Sequence, residues 1–271
     1  MLIRIRYYLI VAMATLTTFS SYSQQDTVRI DTVKVPKNAF GEGEKLVYEI
    51  YYGIVRGGEA TLEVNLEQNG PDYLYHAKAN AYTVGMTGKV VTIRDIYESF
   101  FDVATGLTSM AIRNVREQNY IRYDTQRFKR SKGIVSSQLK GDLSVPPNTM
   151  DVLGAFYYGR MFLFQHAKRE GQVLSFNAYH DGELIPVDLQ YKGKEIIKCK
   201  WGKIQCLKFI PLVGAGSVFR TEDDCIIWFS DDNMYIPIKL KANLKVGAAN
   251  MEIIDYSGLK EELKFIKKKK Q

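Results

Sequence analysis

The side chains in this 271-residue chain that can do chemistry are few and scattered. It has three histidines: His76 in a strand-type run, His166 at the end of an apolar segment and His180 beside an Asp-Gly turn. A metal centre needs two or three such groups to converge, and their spacing brings no two together. A charged imidazole at a helix C-terminus is a sufficient reason for His166. No Gly-x-Ser-x-Gly elbow and no His-Glu-x-x-His is present, so nothing in the chain supports a Ser-His-Asp set. Asp231-Asp232-Asn233 and Glu222-Asp223-Asp224 supply carboxylates, but without the alternating ligands and glycine of a calcium loop they read as solvated turns. Cys199 and Cys206 flank a hairpin tip and Cys225 opens a later strand. They read as small buried apolar residues, with a Cys199–Cys206 bridge as the alternative. No metal and no cofactor is expected.

Two groups of residues are better placed to bind than to react. Arg113, Arg116, Arg122, Arg127, Lys129, Arg130 and Lys132 interleave with Tyr120, Tyr123 and Phe128. Arg122, Arg127, Lys129 and Arg130 are the candidate face for anionic glycans or lipid headgroups, and the competing reading is a charged edge that resists aggregation. Tyr157, Tyr158, Phe162 and Phe164, with Trp228, are the candidate lining of an apolar cleft; their competing role is plain core.

The elements that must position these residues are mostly strands. Residues 225–256 hold three apolar runs around the turn cluster Ser230-Asp231-Asp232-Asn233 and Lys245-Val246-Gly247, the pattern of an antiparallel meander. Ala60, Leu62, Val64 and Leu66 alternate with Glu59, Glu63 and Asn65, which puts the first set on a core face. Similar runs cover 45–52, 73–82, 90–103, 107–116, 120–130 and 134–139, then 172–179, 184–191, 194–201 and 203–213. The interruption is Pro146-Pro147-Asn148-Thr149, where Asn148 or Thr149 can cap a helix over about 149–165, with Asp151 in its first turn. That helix is apolar nearly all round and therefore buried on more than one side. The expected fold is all-β and mainly antiparallel: a strongly curved sheet or partly closed barrel with this one helix on its concave side.

The ends carry the remaining signals. Arg4 and Arg6 precede an apolar stretch from Tyr7 to Phe19, and Ser21-Tyr22-Ser23 offers a cleavage site, the pattern of a signal peptide over 1–23. Retention as an anchor is the alternative; the stretch falls short of the roughly 20 residues a spanning helix needs. Residues 24–38 read as an extended leader with two Asp-Thr-Val repeats, 39–258 as a single β domain and 259–271 as a lysine-rich tail. The net charge is +7, but Arg4, Arg6 and the tail carry most of it, leaving a nearly neutral body. That excludes nucleic acid as the main partner. Lys267, Lys268, Lys269 and Lys270 can add a peripheral contact with an anionic membrane.

Three places together resemble the bacterial exported family catalogued as domain of unknown function 3108: Gly43-Glu44-Lys45-Leu46-Val47-Tyr48 with Gly57-Gly58-Glu59-Ala60-Thr61-Leu62; Asp151-Val152-Leu153-Gly154-Ala155-Phe156-Tyr157-Tyr158-Gly159-Arg160; and Trp228-Phe229-Ser230-Asp231-Asp232 with Ile236-Pro237 and Gly247. The resemblance covers roughly 38–256 and implies an envelope location, in the periplasm or outer envelope of a Gram-negative bacterium, and a β-rich fold. It brings no assigned chemistry, and the lysine-rich end departs from it. The expected function is a non-enzymatic exported protein that holds an apolar or amphiphilic envelope component, lipid or lipoprotein, in a sheet–helix cleft. The alternatives are an adaptor that binds an envelope protein through a sheet edge and a hydrolase of envelope polymers, which needs titratable groups converging in a cleft.

Overall fold

The computed structural model describes residues 27–29, 39–212, 224–244 and 247–267. The expected signal peptide, most of the leader, Gly214 to Ser217, Glu222-Asp223, Lys245-Val246 and Lys268 to Lys270 lie outside the described residues. Among the described residues the strands form one sheet: β1 (Thr27–Arg29), β2 (Glu44–Tyr52), β3 (Val55–Asn69), β4 (Asp72–Thr83), β5 (Ile93–Asp102), β6 (Thr108–Glu117), β7 (Tyr120–Lys129), β8 (Ile134–Ser137), β9 (Gly141–Ser144), β10 (Met150–Asp151), β11 (Val173–His180), β12 (Glu183–Cys199), β13 (Gly202–Pro211), β14 (Cys225–Ser230), β15 (Pro237–Asn243) and β16 (Ala248–Ser257). The order across the sheet is β1-β11-β12-β13-β14-β15-β16-β2-β3-β4-β5-β6-β7-β8-β9. The terminal meander therefore lies at the centre and pairs with β2, so the last strand of the domain holds the first long one. All pairings are antiparallel except those of β1 and β10 with β11. The sheet is strongly curved but not closed.

One helical segment fills much of the hollow. It starts as α2 (Val152–Tyr158), passes through one π-turn (Gly159–Leu163) and tightens at Phe164–His166. Leu153 through Phe164 are buried apart from Phe156. The core around it takes Val64, Ala77 and Phe101 from one arm of the sheet and Leu174, Phe176, Leu189, Leu207, Phe209 and Phe229 from the other. The segment is thus wrapped from both sides, as an all-round apolar helix requires.

Several expectations are corrected. The helix cap is Asp151, not Asn148 or Thr149, because the Asp151 carboxylate reaches the N–H groups of Leu153 and Gly154 at 3.0 and 3.2 Å. A second short helix, α1 (Gly85–Val90), occupies the start of the run expected as a strand from Val90. Lys192-Gly193 does not end a strand: β12 continues through a bulge between Tyr191 and Lys194, with Gly193 at φ +87°.

The bridge between Cys199 and Cys206 is excluded by register. Cys199 pairs with Gly202 across a two-residue turn, while Cys206 pairs with Glu195, four positions along the ladder or roughly 13 Å away. Cys206 and Cys225 are buried, and burial pushes both thiols up to about 12. Native protein treated with iodoacetamide is expected to label at Cys199 alone, and at all three thiols after denaturation. Protection of Cys199 until a reductant is added would contradict the free thiols seen here.

Candidate functional site

The registers stack the concave face into cross-strand rows whose side chains share one side. One row runs Ile253, Tyr48, Ala60, Ala81, Asp95, Val115 and Arg122; the next runs Leu46, Leu62, Ala79, Tyr97, Arg113 and Asp124. A third runs Glu44, Val64, Ala77, Ser99, Ala111 and Gln126. The helical segment sits over the third row and its neighbour Phe101: Ser99 and Thr108 donate to Asp151 at 2.6 and 2.8 Å. The first two rows are only partly covered. Ala60, Leu62, Ala79, Ala81 and Tyr97 are half-buried, as are Ile50, Met251, Leu240 and Ile227, which continue the same face through β2, β16, β15 and β14. The helix therefore plugs one end of the wrap and leaves an apolar strip of small and aliphatic side chains beside it.

This strip ends in a group of titratable side chains. Asp95 is 1% exposed and Glu117 is 6% exposed. Burial raises the Asp95 carboxyl above the usual carboxylate range, opposed by the Arg116 backbone N–H at 3.0 Å, by Glu117 and by the Arg113 charge. Arg113 reaches Asp181 at 3.1 Å and so ties β6 to the β11–β12 turn. Burial pushes the His180 imidazole down to about 4; Arg113 adds to the shift and Asp181 opposes it. His180 is therefore neutral at pH 7. The row fixes a buried acid beside an arginine and a neutral imidazole. That arrangement can hold a polar headgroup. The Asp95 and Glu117 carboxylates are both covered.

The sequence-derived site residues are distributed differently from the expectation. Tyr157, Tyr158, Phe162 and Phe164 do come together, but as packed core: Tyr158 and Phe162 stack at 4.5 Å, Phe164 lies 4.5 Å from Phe229, and Tyr157 lies 4.8 Å from Phe40. Gly106, at φ +67°, lets the β5–β6 turn close onto the stacked pair, since a Cβ there would meet Phe162 at 2.8 Å. Trp228 does not join them. Successive strand residues face opposite sides, so Phe229 takes the place beside the helix while Trp228 enters the second cluster with Cys206, Ile204 and Ile236. The proposed cationic face is divided in the same way. Arg127 and Lys129 lie on the convex side, Arg122 lies in a concave row, and Arg130 is a strut that donates to the carbonyls of Thr108, Thr149 and Pro147 below the helix.

Two residues that matter most were not singled out from the sequence as a site. Arg160 and Glu44 are fully buried and meet through two hydrogen bonds of 2.5 and 2.8 Å. Arg160 also donates to the carbonyls of Met234 at 3.0 Å and Ala39 at 3.3 Å, and its guanidinium lies 5.1 Å from the Phe40 ring centre. Burial works against the guanidinium charge, and Glu44 beside it more than restores it.

The fold and this site define an open β-wrap with an internal helical plug. Among the described residues no helix is long and apolar enough to cross a membrane, and no group of three histidine, cysteine or carboxylate side chains is placed to hold a metal. The chain belongs to the family of proteins of unknown function DUF3108, whose pattern matches residues 47–254. Among solved structures it is similar to a β-barrel-like protein of domain of unknown function DUF1849 from Brucella abortus, with a TM-score of 0.54 and 8% identity over 81% of this chain and 98% of that one. It is also matched by the hypothetical protein CT021 from Chlamydia trachomatis, with a TM-score of 0.36 and 10% identity over 84% and 93% of the two chains. At such identities the first likeness is one of fold. No curated protein matches.

Proposed function

We propose that this is an exported, non-enzymatic envelope protein that holds an amphiphile along its concave strip, with the polar end beside Asp95, Arg113 and His180. The observation that carries the reading is the half-buried patch of Ala60, Ala81 and Ala79 in two adjacent rows, which continue through Asp95 and Arg113 on the same face. A small-residue floor leaves room for a chain, and a few placed polar groups at one end fix its direction. Export is supported by the basic-then-apolar N-terminal pattern. The packed helix aromatics keep the floor in place; they are not the ligand's walls. The edge-binding alternative has less in its favour, since the two end strands, β1 and β9, are only 3 and 4 residues long.

The protein isolated from its own host is expected to carry a lipid-sized adduct in native mass spectrometry, released by organic extraction. Ala81→Trp places an indole on the floor and is expected to lower occupancy by at least about tenfold, equivalent to ~1.4 kcal/mol, with an unchanged far-UV spectrum. Wild-type protein without any adduct, and without uptake of a fluorescent fatty acid, overturns the reading.

A further inference from the structure

The antiparallel order places the turns at 53–54, 118–119 and 181–182 and the connection at 84–92 at one end of the sheet. Of the three concave rows, the one from Ile253 to Arg122 lies nearest this end. Its tips are unusually apolar: Ile54 is 97% exposed, Val55 58% and Ile121 64%. Ile54 and Val55 form the β2–β3 tip and Ile121 follows the β6–β7 turn, so this end presents apolar side chains at two places along its rim. Beside them Arg94 and Arg116 are direct cross-strand partners, both exposed, and neither has a carboxylate partner among the described residues. Like charges at such a pair destabilise a sheet, and an anionic surface offsets that repulsion. Arg122, also exposed, lies one strand further along at the same end, on the concave side of the rim whose convex side carries Arg94 and Arg116, with its guanidinium 5.1 Å from the Tyr120 ring centre.

We propose that this end docks on an anionic lipid surface, with Ile54, Val55 and Ile121 entering the interface and Arg94, Arg116 and Arg122 on the phosphates. The chemistry matches interfacial binding, in which buried apolar area and attraction to anionic headgroups add. The concave strip then opens toward the membrane. Phe265 bridges to Ile204 and the Ile266 N–H donates to the Lys203 carbonyl, which places Lys267 at the opposite end, beside the β12–β13 turn.

The orientation rests on the concave strip being the cargo site, so the two claims are read separately, vesicle binding by co-sedimentation and cargo by mass. The chain without residues 1–23 is mixed with phosphatidylcholine vesicles with or without phosphatidylglycerol. Binding is expected only with phosphatidylglycerol, and it should weaken with salt. Combined Arg94→Glu, Arg116→Glu and Arg122→Glu is expected to lower the partition coefficient about a hundredfold or more, and Ile54→Asp to weaken it at constant charge on the arginines. Arg127→Glu with Lys129→Glu, a chain ending at Ile266, and Ala81→Trp should all bind as the parent does. Equal binding to neutral vesicles, loss on removing the tail, or equal loss in the Arg127/Lys129 variant overturns the proposal. The Ala81→Trp variant bound to vesicles but empty of cargo separates its failure from that of the cargo reading.

Discussion

Arg160→Met is expected to lower the unfolding free energy by about 3–5 kcal/mol, the range for breaking a buried ion pair from one side. Glu44 and Arg160 are 0% exposed at their side chains, so the carboxylate left behind would have no water to turn to. Two carbonyls, of Ala39 and Met234, would lose their donor at the same time. The comparison variant is Glu44→Leu with Arg160→Met. Replacing both members of such a pair by apolar side chains is often close to neutral, so this variant should recover most of the loss. Urea unfolding of the parent and both variants at pH 7 measures the difference. A single-variant loss below about 1 kcal/mol, the range of an exposed pair, would mean that the two groups are solvated and do not lock the helix to β2. The pair is also a specificity device. Glu44 lies in the first long strand and Arg160 more than a hundred residues later, so their contact fixes which part of the helix faces which strand.

Both halves of that pair were open to inspection in the sequence. Alternation in β2 puts Glu44 on the side of Leu46 and Tyr48, and Arg160 interrupts a helix whose other faces are apolar. An inward carboxylate and a buried cation call for each other. The antiparallel class, the concave helix and the core face of Ala60, Leu62 and Val64 follow from periodicity, because a period of two or an all-round apolar helix has one packing solution. What periodicity does not carry is phase across irregularities. Trp228 and Phe229 are both apolar, and only a register shift between them, with Pro237 opposite Phe229, decides which one meets the helix. The two-residue turn at 200–201 pairs Cys199 with Gly202 and leaves Cys206 four positions along the ladder. The half-buried strip was illegible for a further reason: Ala60 reads as core on its own strand, and the partial exposure of Ala60 and Ala81 follows from where the helix stops.

Asp151→Ala is expected to cost about 3 kcal/mol, as a lost N-cap of ~1 kcal/mol plus two stranded hydroxyls at ~1 kcal/mol each. The carboxylate is 6% exposed and accepts from four donors: the Leu153 and Gly154 N–H groups, Ser99 and Thr108. It therefore caps the helix and binds it to β5 and β6 in one step. Gly154 belongs to the same arrangement, since a Cβ there would lie 2.3 Å from the Thr108 hydroxyl and 2.6 Å from the Asp151 carboxylate. Burial raises the Asp151 carboxyl above its ordinary value, and the hydrogen bonds from Ser99, Thr108, Gly154 and Leu153 oppose that. The sign follows: a carboxyl raised in the folded state stabilises most when protonated, and its contribution falls as pH rises through the raised value. Asp151→Asn is neutral, so it should lose that pH dependence and retain part of the cap. Adding Ser99→Ala and Thr108→Val to Asp151→Ala removes the stranded hydroxyls and should return about 1–2 kcal/mol. Hydrogen exchange gives the site-resolved check. In Asp151→Ala the amides of Leu153 to Phe156 should lose protection ahead of those in β13 and β14, because the cap is local while Arg160 still holds the far turn. Uniform loss across helix and sheet would show instead that Asp151 supports the whole fold and that the plug cannot open on its own.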